Sequence, residues 1–132
     1  MADPGCETDR PNVVFLIADD HRYDVMSCRG NPHIETPNLD RLAEQGCCFE
    51  NAFTTTALCA PSRGAFLTGK YPHRAGTPLM PWKNNTFLRG QRPFPARLGD
   101  DGYYAAHVGK WHLGEGHLPK SGYDYWAGFE WL

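Results

Sequence analysis

The sequence predicts an α/β layered fold built on a mainly parallel sheet. The run Asn12 to Ala18 (NVVFLIA) is unbroken, apolar and β-branched, as in a strand covered on both faces. Strand-like and helical segments then follow in the order β-α-β-α-(α)-β, which belongs to a layered α/β chain. Polar residues able to do chemistry come after two of the predicted strands. They are Asp19 and Asp20 after the first, and Lys110 and His112 after the last. In open α/β sheets ligands gather at that end of the strands.

Residues 1–11 are polar, with Pro4, Gly5 and Pro11, and read as a loose terminal segment ahead of a folded part at 12–132. Thr36-Pro37 opens a helix, with Thr36 as N-cap and Pro37 at the first helical position. Leu39, Leu42 and Ala43 mark its buried face, and Gly46 ends it. Phe49 to Thr55 is rich in aromatic residues and threonine and predicts a second strand. Pro61 suits the first turn of a short helix running to about Thr68, with Cys59 just ahead of it near the positive end of the helix dipole. Between Gly69 and Pro95, the prolines Pro72, Pro78, Pro81, Pro93 and Pro95 predict loop. Phe94 to Asp101 reads as a short helix before Gly102, and Tyr103 to Val108 as a third strand. Gly114 to Gly128, rich in glycine and aromatics, reads as surface loop.

Composition narrows the function classes. At 132 residues the chain forms one domain at most, and its hydrophobic fraction of 41% is enough for a single core. The net charge is −2 and no block of like charge occurs, so neither nucleic acid nor a membrane surface is an expected partner. Val13 to Ala18 is too short to span a bilayer. It also makes a poor secretory core, because Asp3, Glu7 and Asp9 precede it against a single Arg10 and no small-residue cleavage site follows. No export signal is therefore expected in the chain as written, and the compartment stays open. The five cysteines are odd in number and include no C-x-x-C pair, which argues against a disulfide framework or a structural zinc site. Cys28, Cys47 and Cys48 are expected to be small buried side chains.

Three constellations carry the chemistry. The first is Ala57-Leu58-Cys59-Ala60-Pro61-Ser62-Arg63-Gly64-Ala65-Phe66-Leu67-Thr68-Gly69. A cysteine followed by x-Pro-Ser-Arg arises by chance in roughly one chain per thousand of this length. The bland alternative is a buried or capping cysteine. Arg63, four residues on, falls on the same helical face as Cys59. The second is Asp19-Asp20. Adjacent carboxylates at a strand end repel one another unless a cation lies between them, and oxygen-rich sites suit Ca²⁺ or Mg²⁺. An Asp-Asp pair alone is as often a helix cap or a solvated turn. The third is Gly102-Tyr103-Tyr104-Ala105-Ala106-His107-Val108-Gly109-Lys110-Trp111-His112. Taken alone, Lys-x-His is usually surface loop.

Together these runs closely resemble the type I sulfatases, across essentially the whole chain. The resemblance implies an alkaline-phosphatase-like fold and a sulfuric ester hydrolase. It implies that Cys59 is the precursor of formylglycine, whose hydrate carries two hydroxyls on one carbon. One hydroxyl attacks sulfur, and the other expels sulfate by collapse to the aldehyde. Arg63 would hold the hydrate and offset sulfate charge, Lys110 would neutralise a sulfate oxygen, and His112 would hydrogen-bond the hydrate and assist proton transfer. Asp19, Asp20 and the residue made from Cys59 would ligate a divalent ion, Ca²⁺ or else Mg²⁺, with His21 behind them or structural. Ala105 departs from the family pattern, which has a small hydroxyl residue there, at a strand position rather than a catalytic one. Tyr71-Pro72-His73-Arg74 also resembles the family and reads as a structural loop. The implied partners are a small-molecule or glycan sulfate ester and a maturation enzyme that makes formylglycine.

His33, His107 and His117 show no evident partner. The aromatics Tyr123, Tyr125, Trp126, Phe129 and Trp131 are read as packing residues before a sugar-binding rim. The family's second Asp/Asn metal pair, a further histidine and a further lysine have no counterpart downstream. The chain is accordingly expected to be the amino-terminal part of a sulfatase catalytic domain, inactive and aggregation-prone alone. Two rivals remain: a phosphonate or phosphate monoester hydrolase with the same nucleophile, and a non-catalytic truncated module.

Overall fold

The computed structural model describes residues 10–77 and 90–130. The loose segment expected at 1–11 lies almost wholly outside them, as do Pro78, Pro81 and Trp131. The chain divides into two compact units, residues 1–49 and 50–132.

In the first unit a single 3-10 turn, Ser27–Arg29, precedes helix α1, Pro37–Gln45. Thr36 and Gly46 flank α1 as predicted, but Thr36 does not cap it through its side chain. Asp40 has drawn that hydroxyl away. Its carboxylate accepts from Thr36 Oγ1 (2.8 Å), Ser27 Oγ (2.5 Å) and the Cys28 N–H (3.0 Å). Ser27 and Thr36 also exchange backbone-to-hydroxyl bonds, Ser27 N to Thr36 Oγ1 at 3.0 Å and Thr36 N to Ser27 Oγ at 2.8 Å. The turn and the helix are thus joined by polar contacts. These donors, Ser27 first, hold the Asp40 carboxyl below its ordinary value.

Several sequence expectations for this region are corrected. Asn12 to Ala18 forms no strand, and Val14 and Leu16 stand about four-fifths exposed (81% and 80%). Phe49 to Thr55 forms no strand either. Both runs have the propensity, but a strand exists only where a neighbouring strand pairs with it, and neither run is paired as a strand among the described residues. Leu39, Leu42 and Ala43 share one face of α1, yet none is buried. Cys28, Cys47 and Cys48 are exposed, free thiols.

The second unit holds helices α2 (Cys59–Thr68), α3 (Pro72–Ala75) and α4 (Phe94–Asp100) and strands β1 (Ala106–Lys110) and β2 (Tyr125–Phe129). β1 and β2 pair in parallel, from Ala106 opposite Tyr125 to Lys110 opposite Phe129. The start of the pair is locked by Asp124. Its carboxylate accepts the Ala105 N–H at 2.7 Å, and its own N–H donates to the Ala105 carbonyl at 2.7 Å. The α/β class with parallel strands stands, while the element order differs from prediction. The third strand begins and ends a little later than expected and includes Lys110. Gly114 to Gly128 is not all loop, since its aromatic end pairs as β2. Tyr71–Arg74, expected as loop, contributes to the short helix α3.

The core is small: Ala60 from α2 with Trp111 and Leu113, flanked by Leu67, Tyr123 and Trp126. Ala60, Pro61 and Gly64 form the buried face of α2. α4 approaches Gly122 closely. A Cβ there would lie 2.4 Å from that of Ala96, on a backbone with φ +89°, so only glycine fits. Among the described residues no helix is long and apolar enough to cross a membrane.

Candidate active site

Cys59 is the first residue of α2, one position inside the helix rather than ahead of it. Leu58 before it is extended (φ −138°, ψ 145°), and its carbonyl accepts the Ser62 N–H at 3.0 Å, which starts the helix. The cysteine is partly exposed at this helix start. One turn on, Arg63 reaches the end of β1, where its Nη1 donates to the Lys110 carbonyl at 2.5 Å. Lys110 is the last residue of β1, and its Nζ lies 4.0 Å from Cys59 Sγ, a long N–H···S contact. The structure therefore brings together Cys59, Arg63 and Lys110, which are far apart in sequence.

His112 follows two residues after Lys110 and is 8% exposed. Its backbone is left-handed, with φ 55°. That conformation costs a non-glycine residue about 1–2 kcal/mol, so surrounding contacts must hold it. Trp111, just before it, lies in the core and extends the ladder, its N–H donating to the Phe129 carbonyl at 2.8 Å.

An aromatic group supports this strand end. His107 stacks on Trp126 (ring centroids 4.4 Å apart, planes 28° apart) and meets Trp111 and Tyr123 edge-on at 5.4 and 5.8 Å. The sequence left His107 without a partner; the structure supplies three. Burial pushes the His107 imidazole below its ordinary value, against a contact of Nε2 with the Gly109 carbonyl at 3.2 Å. Burial pushes the Tyr123 hydroxyl up to about 12. The packing role expected for Tyr123 and Trp126 is what these contacts show. Sequence reasoning passed over Glu130, which accepts the N–H groups of Gly114 and Gly116. Its partners lie more than a dozen residues back, beyond any local motif.

A cavity of about 630 Å³ lies between α4 and the segment 111–122, lined by Arg92, Trp111, Leu113 and Lys120 among others. Cys59, Arg63, Lys110 and His112 do not line it, so it is separate from the cysteine cluster.

Asp19 and Asp20 belong to the first unit and are exposed, with Asp20 in the left-handed region (φ 50°). Their oxygens are right in kind for Ca²⁺ or Mg²⁺. They are too few, since such ions take about six to eight oxygen ligands. Among the described residues no group of three or more His, Cys, Asp or Glu side chains gathers to hold an ion. The pair fits a metal only as part of a larger shell.

The family model described as Sulfatase matches residues 11–131. The chain is 42% identical to an N-acetylglucosamine-6-O-sulfatase of Bacteroides thetaiotaomicron, over 92% of this chain and 21% of that protein. It is also 42% identical to the steryl-sulfatase of Homo sapiens, over 80% of this chain and 19% of that one. A solved complex of a protein with its substrate D-glucosamine-2-N,6-O-disulfate superposes with a TM-score of 0.76 at 41% identity, covering 89% of this chain and 22% of that one. These matches define an alkaline-phosphatase-like α/β fold. The chain belongs to the sulfatase family. It spans about a fifth of the length of these relatives.

Proposed function

We propose that this chain carries the nucleophile-bearing part of a sulfuric ester hydrolase, with formylglycine made from Cys59 as the reacting residue. The observation that carries the reading is the 4.0 Å approach of Lys110 Nζ to Cys59 Sγ, with Arg63 bonded to the Lys110 carbonyl. Sγ marks the Cβ substituent that maturation would replace with oxygen. The ammonium beside that position suits an anionic ester and stabilises charge on its oxygens. Formylglycine would supply a geminal diol, one hydroxyl to attack sulfur and one to release sulfate.

The chain's own residues divide the remaining work. Arg63 ties α2 to the end of β1 through the Lys110 carbonyl and would offset charge on the sulfate. Lys110 draws a sulfate oxygen into place. His112, held near the strand end, hydrogen-bonds the diol and takes part in proton transfer. Asp19 and Asp20 would contribute carboxylates to a divalent ion, Ca²⁺ or Mg²⁺, which when bound acts as a Lewis acid on a sulfate oxygen. A maturation enzyme is the implied partner, because cysteine does not become an aldehyde unaided. The substrate class that the similarity to glycan-acting relatives favours is a sulfated amino sugar.

The test is parallel turnover of aryl sulfate and aryl phosphate by matured protein, followed by sulfate release from a sulfated glucosamine and from a steroid sulfate. Sulfate-selective turnover that disappears in Cys59→Ala, with release from the sugar, supports the proposal. Turnover of phosphate in preference to sulfate, or activity unchanged in Cys59→Ala, contradicts it.

A further inference from the structure

We infer that Glu130 is a positioning residue for His112, a role that deepens the reading above and rests on it. Glu130 follows directly after β2. Its Oε1 accepts the Gly114 N–H at 2.7 Å and its Oε2 accepts the Gly116 N–H at 2.8 Å. One carboxylate therefore closes the loop that leaves the strand end, using both oxygens on two backbone donors. Carboxylate-to-amide bonds of this kind are among the stronger hydrogen bonds a protein makes.

The loop is shaped for this contact. His112, Gly114 and Glu115 all have left-handed backbones (φ 55°, 94° and 50°), so the chain coils tightly and turns its N–H groups toward one acceptor. Successive N–H groups in such turns form anion-binding concavities, and here the anion is the protein's own carboxylate. A Cβ on Gly116 would lie 2.7 Å from Glu130 Oε2 and from the Phe129 carbonyl, so only glycine allows the approach. A Cβ on Gly128 would lie 2.6 Å from the Gly116 carbonyl, so the opposite wall needs glycine as well. Trp126 Nε1 donates to the Gly116 carbonyl at 2.8 Å and closes the far side.

His112 is bracketed by these bonds. Before it, the Trp111 N–H is held by the Phe129 carbonyl at 2.8 Å. After it, Gly114 and Gly116 are held by Glu130. The end of β2 thus fixes the chain on both sides of a histidine in an unfavourable backbone conformation. Without the carboxylate, the two N–H anchors downstream are lost and the unfavourable φ of His112 is held less firmly. Glu130 needs no contact with substrate; it acts through the backbone of the loop.

The experiment compares the matured full chain with Glu130→Ala and Glu130→Gln by amide hydrogen exchange and by the imidazole resonances of His112. Glutamine keeps one acceptor oxygen, so it is expected between wild type and alanine, and it serves if alanine does not fold. The expected result is exchange at Gly114 and Gly116 faster by about tenfold or more, with the β1 amides unchanged and the His112 resonances shifted. In the active protein, kcat falls by about tenfold while KM stays within about a factor of two. Unchanged exchange at both glycines, or His112 resonances that do not move, overturns the assignment. Matured protein that joins this chain to the rest of a sulfatase catalytic domain and turns over no sulfate ester would sink the functional reading, but exchange and resonances would still decide the role of Glu130.

Discussion

Arg63 and Lys110, 47 residues apart in the chain, are joined by a hydrogen bond from the arginine Nη1 to the lysine carbonyl at 2.5 Å. That bond couples the helix that begins with Cys59 to the strand that ends with Lys110. It makes the position of the ammonium relative to the cysteine depend on a planar, multi-donor guanidinium. Arg63→Lys is therefore expected to lower kcat in the active enzyme by about 100-fold, close to the loss in Arg63→Ala. Steady-state kinetics on an aryl sulfate, comparing the two variants, checks this.

Lys110 places its ammonium 4.0 Å from Cys59 Sγ. Its replacement by methionine keeps the aliphatic stem and removes the ammonium. The expected loss in kcat is about 100- to 1,000-fold, with little change in the melting temperature, because the side chain is no part of the core. Kinetics and thermal unfolding on the same sample separate the two effects.

His107 predicts a pH dependence of stability. Its pKa is lowered from an ordinary 6.5 by burial among Trp111, Tyr123 and Trp126. The unfolded chain thus binds a proton more readily than the folded one. Stability is unaffected above about pH 7, falls as pH drops through 6.5, and levels off below the folded value. Denaturant unfolding from pH 8 to pH 5 should show this slope, and His107→Phe should flatten it.

Asp40 has the opposite sign. Its donors Ser27, Thr36 and Cys28 hold its pKa below the ordinary 3.8, so the contribution is present above that value and lost as pH falls through the folded value. Asp40→Asn is expected to loosen the start of α1 while leaving β1 and β2 intact. Amide exchange at Cys28, whose N–H Asp40 holds at 3.0 Å, reports the change.

The sequence showed which helices start where more clearly than it showed the strands. Helix starts were legible because Thr36-Pro37 and the Cys59–Pro61 run carry local signals, and α1, α2 and α4 lie close to where those signals put them. Strands were not, because pairing is set by a partner elsewhere in the chain. NVVFLIA has the composition of a strand but is not paired as one among the described residues, while Tyr125–Phe129, hidden in a glycine-rich stretch, finds a partner in β1. Cys59, Arg63 and Lys110 were identified by motif and do come together. The His107 stack and the Glu130 clamp were not foreseen, because each depends on contacts across a loop.

The central claim, that Cys59 is the precursor of the reacting residue, is tested most directly by the mass of the peptide containing it. The protein should be made in a host with a formylglycine-generating enzyme. The account predicts loss of the thiol and a mass matching the aldehyde at position 59, with Cys28, Cys47 and Cys48 unmodified. A Cys59 peptide that keeps its thiol in protein turning over sulfate esters would contradict it.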